Sequence, residues 1–210
     1  MRIIISSFDM GVRNFAFCVQ EVVFSDLQQI KKIKSTFNED GTPSDSYNEY
    51  LCQIYKTGKI IECKNIDLQT ISEQECDGNL FLSLSSTLDK YIYLWDKTNV
   101  FLIEQQMSYG RNKSNIQALK LAQHCHSYFY TTYGNFKVIM DYPSQNKTRL
   151  LGCNLEDRKK HKSRKKFSVE LAQTILKCKH QEKDNFFKIK KKDDISDCLL
   201  MIETFKIKYL

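Results

Sequence analysis

The sequence has no apolar run of the roughly 20 residues that a membrane-spanning helix requires, so no membrane partner is expected. It has no secretory leader pattern either, because its short apolar start runs straight into a strand pattern. No Cys-x-x-C pair occurs among its eight cysteines, which are scattered at positions 18, 52, 63, 76, 125, 153, 178 and 198. Together these absences argue against a disulfide framework and a paired-cysteine metal site. The expectation is an intracellular, reducing location with free thiols. The cluster His124-Cys125-His126 resembles a metal site only on paper, since adjacent residues of a helix point around it rather than toward one ion.

What is present suits a globular protein. The 210 residues suffice for one domain with a real core and leave little for a second, so a single domain over 1–210 is expected. Hydrophobic residues at 41% and aromatics at 12% exclude a disordered chain. The net charge of +7 and a pI near 8.9 favour a polyanionic partner.

The first fourteen residues, M-R-I-I-I-S-S-F-D-M-G-V-R-N, organise the rest. Three isoleucines and Phe8 read as a central strand that ends in a single carboxylate, Asp9. Aspartate is depleted in strands and costly to bury without a partner, and a metal ion suits it best. Gly11 allows a tight turn, and Phe15 to Val19, extended by Val22 to Phe24, reads as the returning strand. Residues 25–57 are polar and mixed, an insertion or long connection with some helix near Tyr47 to Ile54. Lys59 to Cys63 restores a strand and completes an antiparallel meander.

The spacing of Leu80, Leu84, Leu88 and Trp95 predicts a helix with Trp95 in the core. Val100 to Ile103 then repeats the opening pattern, an apolar run that ends in an acid, Glu104. Residues 114–130 form a further helix pattern, and Lys137 to Tyr142 a fifth strand stopped by Pro143. Three hairpin-ordered strands followed by two helix–strand units predict a mixed five-stranded α/β sheet, three strands antiparallel and two parallel, flanked by helices.

Nine Lys or Arg stand against two acids over residues 147–166, and a second basic burst runs from Lys188 to Lys192. The terminal helix opens with Asp193, Asp194 and Asp197. Asp193 suits the N-cap, and Asp194 and Asp197, three apart, share one face. If strands one and four are neighbours, Asp9, Glu104, Asp194 and Asp197 converge at one sheet edge. Such a cluster repels itself unless cations neutralise it. Hard oxygen donors select Mg²⁺ or Mn²⁺, and two such ions about 3.5–4 Å apart activate water against a phosphodiester. The lysine runs would hold the polyanion.

At the motifs F-D-M-G-V-R-N (8–14), L-I-E-Q-Q (102–106), R-K-K-F-S-V-E (164–170) and K-K-D-D-I-S-D (191–197) the sequence resembles the RuvC-type Holliday-junction resolvases of the RNase H-like superfamily. Within them it is most similar to the poxvirus-like resolvases of large DNA viruses and their mitochondrial relatives. The resemblance implies an RNase H-like fold and a metal-dependent endonuclease acting on four-way DNA junctions in viral recombination or genome-concatemer resolution. It gives Asp9, Glu104, Asp194 and Asp197 the metal-ligand roles, with two Mg²⁺ ions (Mn²⁺ as substitute) and no small-molecule cofactor. Lys165 and Lys166 match the basic pair that opens the helix after the fifth strand, with Lys166 taken as catalytic. Arg13, Asn14, Arg111, Lys113, Arg158, Lys159, Lys160, Lys162, Arg164, Lys165, Lys190, Lys191 and Lys192 are the expected DNA contacts. A homodimer acting where a viral genome replicates is implied. The chain departs from the viral relatives in carrying Gln105-Gln106 where they have Arg after the catalytic Glu. Rival readings are another RNase H-like nuclease, acting on RNA–DNA hybrids or transposon ends, and a non-catalytic module that binds branched DNA.

Overall fold

The opening apolar run forms β1 (Arg2–Asp9), which pairs antiparallel with β2 (Phe15–Val23) and parallel with β4 (Val100–Glu104). The edges of the sheet are β3 (Lys59–Ile66), antiparallel to β2, and β5 (Val138–Tyr142), parallel to β4, giving the order β3-β2-β1-β4-β5. The structure, a computed structural model, describes residues 1–71, 77–106, 113–181 and 191–210. The mixed sheet of three antiparallel and two parallel strands is the one expected, and strands one and four are neighbours.

Helices cover both faces. After β2 come α1 (Phe24–Gln28) and α2 (Asp45–Lys56), and between β3 and β4 come α3 (Asp77–Lys90) and α4 (Ile92–Trp95). The long α5 (Lys113–Tyr133) precedes β5. The chain then continues through α6 (Gln145–Leu150), α7 (Leu155–Lys159), α8 (His161–Cys178) and α9 (Lys192–Tyr209).

Because successive strand residues point to opposite faces, the strands divide their side chains between two cores. Phe8, Phe15, Phe17, Phe101 and Ile103 face one way and pack with Trp95, Leu121 and Phe129 of the α3–α5 layer. Ile5, Ala16, Cys18 and Leu102 face the other and pack with α2, α8 and α9. This parity decides where the acids go. Asp9 shares its face with Ile5 and Ser7, and the Ser7 hydroxyl donates to the Cys198 carbonyl of α9 at 2.8 Å. Glu104 shares its face with Val100 and Leu102. Both acids therefore come out on the α9 side of the sheet.

The polar stretch 25–57 is a docked part of that second core rather than a loose connection. Ser44 caps α2, accepting from the Tyr47 amide at 3.4 Å, and Tyr47, Leu51 and Ile54 are buried. The Tyr47 hydroxyl donates to the Leu150 carbonyl of α6 at 2.9 Å, and the Leu155 amide of α7 to the Asp40 carbonyl at 2.7 Å. Gly152 has φ +74°, and a Cβ there would lie 2.3 Å from Pro43, so only glycine lets the two segments meet.

A buried ionic cluster ties α2 to α9. Glu203 is fully buried and meets Lys206 at 2.6 Å and Lys179 at 3.1 Å, and it also accepts from Gln20 at 3.0 Å. The Lys206 ammonium donates further to the Ile54 and Thr57 carbonyls at 3.1 and 3.0 Å, satisfying the end of α2. One carboxylate serves two lysines, so the second positive charge is poorly tolerated, and burial pushes Lys206 down to about 7. A folded-state value below the unfolded one means that the unfolded chain binds the extra proton between about pH 7 and 10. Stability therefore rises with pH across that window. Denaturant titrations are expected to give an unfolding free energy larger at pH 9 than at pH 7 by about 1–2 kcal/mol. The slope should disappear in Lys206→Met.

Candidate active site

The parallel register pairs Phe8 with Ile103, and one step further along each strand stand Asp9 and Glu104. They lie at the carboxyl ends of β1 and β4, the position where open α/β sheets present their ligand sites. Gly11 makes the turn behind Asp9 possible, since a Cβ there would lie 2.9 Å from the Asn14 carbonyl oxygen. Asn14 thus shapes the loop through its backbone. Arg13 turns away and donates to Gln69 at 2.7 Å.

The centre of the site is a residue the sequence reading missed. Lys147, on α6 and only 5% exposed, donates to Glu104 Oε1 at 2.8 Å and reaches Asp197 Oδ2 at 2.9 Å. Burial alone would push its pKa down, yet Glu104, Asp197 and Asp9 outweigh burial and hold it well above the ordinary lysine value. Asp9 is raised well above the carboxylate range by burial and then by the charge of Glu104, to which it donates a hydrogen bond. Burial opposes ionisation of Glu104 too, but Lys147 and the bond from Asp9 bring it net below its usual value. Glu104 and Asp197 thus share one ammonium.

Asp194 lies apart from this group. Burial and neighbouring Asp193 raise its pKa, and its Oδ2 accepts from Asn65 Nδ2 of β3 at 3.2 Å. Asn65 also reaches the Lys191 carbonyl at 3.4 Å, so it fixes the entry to α9. Asp193 is held by Lys165 in a short ion pair. Among the described residues no three Asp, Glu, His or Cys side chains are drawn around one point as metal ligands. The Lys147 ammonium stands between Glu104 and Asp197 as their counter-charge. Its position demonstrates that Glu104 and Asp197 can share one cation, and an all-oxygen donor set suits a hard divalent ion. The site residues fit Mg²⁺ or Mn²⁺ on that ground.

The remaining predicted residues separate by their position on the helices. Lys166 is exposed and lies 3.8 Å from Glu170, remote from the carboxylates, whereas Lys165 turns inward to Asp193. Lys159 pairs with Glu156 at 2.7 Å, and Lys160 and Lys162 are exposed. Arg158 is half-buried and Arg164 exposed, and both are bound to main-chain carbonyls. Lys191 and Lys192 start α9, and Lys113 starts α5. Arg111 and Lys190 lie outside the described residues. Gln105 and Gln106 stay close to the main chain: the Gln105 amide donates to Tyr142, and the Gln106 side chain to the Glu104 carbonyl at 3.3 Å. The histidines of the 124–126 cluster diverge, His124 bonding Ser85 and His126 bonding Asp141, each at 2.8 Å.

With this geometry in hand, comparison with solved structures is informative. The fold matches RuvC of Thermus thermophilus with a TM-score of 0.55 at 9% identity, covering 97% of this chain and 95% of RuvC. The same protein in complex with a Holliday junction substrate matches at 0.55 and 8% identity, covering 97% and 94%. The yeast mitochondrial Holliday junction resolvase Ydc2 matches at 0.50 and 14% identity, covering 97% and 78%. The chain thus has the RuvC, RNase H-like fold. No family model matches the sequence. Two viral proteins do match it over nearly their whole lengths. "Uncharacterized protein 170L" of Invertebrate iridescent virus 6 is 28% identical over 232 residues, covering 99% of this chain and 90% of the relative. "Uncharacterized protein 97L" of Invertebrate iridescent virus 3 is 30% identical over 212 residues, covering 96% and 98%. The chain belongs to the same family as protein 97L of Invertebrate iridescent virus 3.

Proposed function

We propose that this protein is a divalent-metal-dependent endonuclease that resolves four-way DNA junctions as a homodimer, at the site where a viral genome replicates. The observation that carries the reading is the buried meeting of Asp9, Glu104 and Asp197 around Lys147 at the carboxyl edge of a RuvC-type sheet. A pure DNA-binding module gains nothing from acids that face phosphates, so the carboxylates argue for hydrolysis. Asp9, Glu104, Asp194 and Asp197 would hold a Mg²⁺ ion, which when bound would supply a nucleophilic water and neutralise charge on the scissile phosphate.

The chain's own residues do the rest. The charges of Asp9 and Glu104 bear directly on one another, so the two act as a unit. Lys147 keeps the carboxylates together in the resting site. With a cation bound, its ammonium is free to donate to a phosphate oxygen and stabilise the charge that develops there. Lys165 reaches the same opening from α8 and is the better placed of the basic pair to contact DNA.

Junction selectivity requires two such sites acting together. A two-fold dimer matches a two-fold branched substrate, whereas a linear duplex engages one protomer and loses the gain in effective concentration. Labelled four-way junction, linear duplex and RNA–DNA hybrid are to be compared in Mg²⁺. The expected products are paired nicks, symmetric about the crossover, with ligatable 5′-phosphate ends. Asp9→Asn and Glu104→Gln should lower cleavage by about a thousandfold or more, with junction affinity kept within a few-fold. Equal rates on junction and duplex would contradict the resolvase reading, and unaffected cleavage in both variants the carboxylate assignment.

Lys147 gives a second test that needs no substrate. Lys147→Met leaves Glu104 and Asp197 without their buried counter-charge, at a cost of about 3–5 kcal/mol in EDTA. Mg²⁺ should restore much of that loss in the variant and add less to the wild type. The check is chemical denaturation with and without Mg²⁺.

A further inference from the structure

Beside the carboxylates a cavity of about 490 Å³ opens between α6, α7 and α8. Glu104, Lys147 and Asp197 form its inner end. Arg149, Arg158, His161, Arg164 and Lys165 form its wall, with Ser144, Gln145, Thr148 and Ser168 between them. The helical repeat selects these residues, since His161, Arg164, Lys165 and Ser168 recur every three or four positions along one face of α8. Lys159 and Lys162 do not line it, although they belong to the same basic run.

The wall carries positive charge that the protein orients but does not neutralise. Arg158 donates from Nε to the Cys153 carbonyl at 2.7 Å and from Nη2 to the Gly41 carbonyl at 3.2 Å. Arg164 donates from Nη1 to the Arg158 carbonyl at 3.1 Å. Carbonyls fix a guanidinium plane yet leave its full charge in place. Among the described residues no carboxylate pairs with Arg149, Arg158 or Arg164. Among the described residues, Lys165 is the wall residue with an acidic partner, Asp193. Two guanidiniums aimed by carbonyls and a third, Arg149, without a partner among the described residues line a cavity of ligand size, an arrangement that an anion completes. Arg158 depends for its position on Gly41, so the stretch 25–57 helps to build this wall.

We infer that the cavity between α6, α7 and α8 is a nucleotide subsite, taking the sugar-phosphate next to the phosphate that reaches Asp9 and Glu104. Arg149, Arg158 and Arg164 bind its phosphodiester. This assignment rests on the nuclease reading for its register along the strand. Its chemistry stands separately, because phosphate binding here needs neither metal nor cleavage. The basic run thus has two parts, an inner wall that grips one nucleotide and outer lysines that attract long DNA from a distance.

The test is calorimetric titration of the full chain in EDTA with 5′-phosphorylated dithymidylate, with unphosphorylated dithymidylate, and with inorganic phosphate. Arg149→Gln is the key variant, because the Arg149 side chain has no partner among the described residues and its loss cannot unfold α6. Arg149→Gln and Arg164→Gln should each weaken phosphorylated dinucleotide binding by about tenfold, whereas Lys159→Gln and Lys162→Gln, which remove the same charge, should change it less than twofold. Equal weakening by all four variants, or inorganic phosphate binding as tightly as the dinucleotide, would overturn the subsite. Asp9→Asn separates the two readings. Intact dinucleotide binding by a wild-type protein that cleaves neither junction nor duplex in Mg²⁺, no more than Asp9→Asn does, would sink the nuclease assignment and leave the subsite standing. Loss of discrimination among the four charge variants would do the reverse.

Discussion

The Lys147 ammonium, buried between Glu104 and Asp197, is the interaction on which the site depends. Three acids brought together in a low-dielectric pocket repel one another, and the fold tolerates them only with a cation among them. In the resting protein that cation is the Lys147 ammonium. Lys147 is itself held by α6, which follows β5 directly and is braced by Tyr47 from the stretch 25–57. The site thus joins the sheet edge, α9, α6 and a segment whose Tyr47 lies 103 residues before its partner Leu150.

The same logic of unequal charge recurs at two other places. In the core, Glu203 shares two lysines and one of them is driven toward neutrality. In the cavity beside the site, guanidiniums are oriented by carbonyls and left without acids. The core cluster closes on itself and holds α2 to α9, so its effect is on stability. The cavity is open, so its charge is available to a ligand. Whether a charged group is enclosed or faces an opening separates the two roles.

Much of this was legible in the sequence. Strand parity alone carried Asp9 and Glu104 to one edge, because each ends an apolar run on the same phase and β1 lies beside β4. The mixed character of the sheet followed from three hairpin strands and two helix–strand units, whereas the placing of β1 beside β4 came from the structure. Lys147 was not legible, because it is one of nine basic residues in 147–166 and only tertiary packing buries it. The usable signal was its place, four residues after Pro143 on the helix leaving the fifth strand, at the edge where the acids emerge. Lys165 and Lys166 differ by helical phase, a rotation of about 100° per residue that turns one to Asp193 and the other to Glu170 and that a charge run conceals. Asn65 gave no sign at all, since its role exists only through the β2–β3 register and the approach of α9.

The central claim is that Asp9, Glu104 and Asp197 form one cation site, held ready by Lys147. Anomalous diffraction from crystals grown with Mn²⁺ tests it most directly, because manganese scatters distinctively and substitutes for Mg²⁺ at oxygen ligands. The account predicts a peak within coordination distance of Asp9 and Glu104, with the Lys147 ammonium displaced from its place between Glu104 and Asp197. A manganese bound elsewhere, with the Lys147 contacts unchanged, would contradict it.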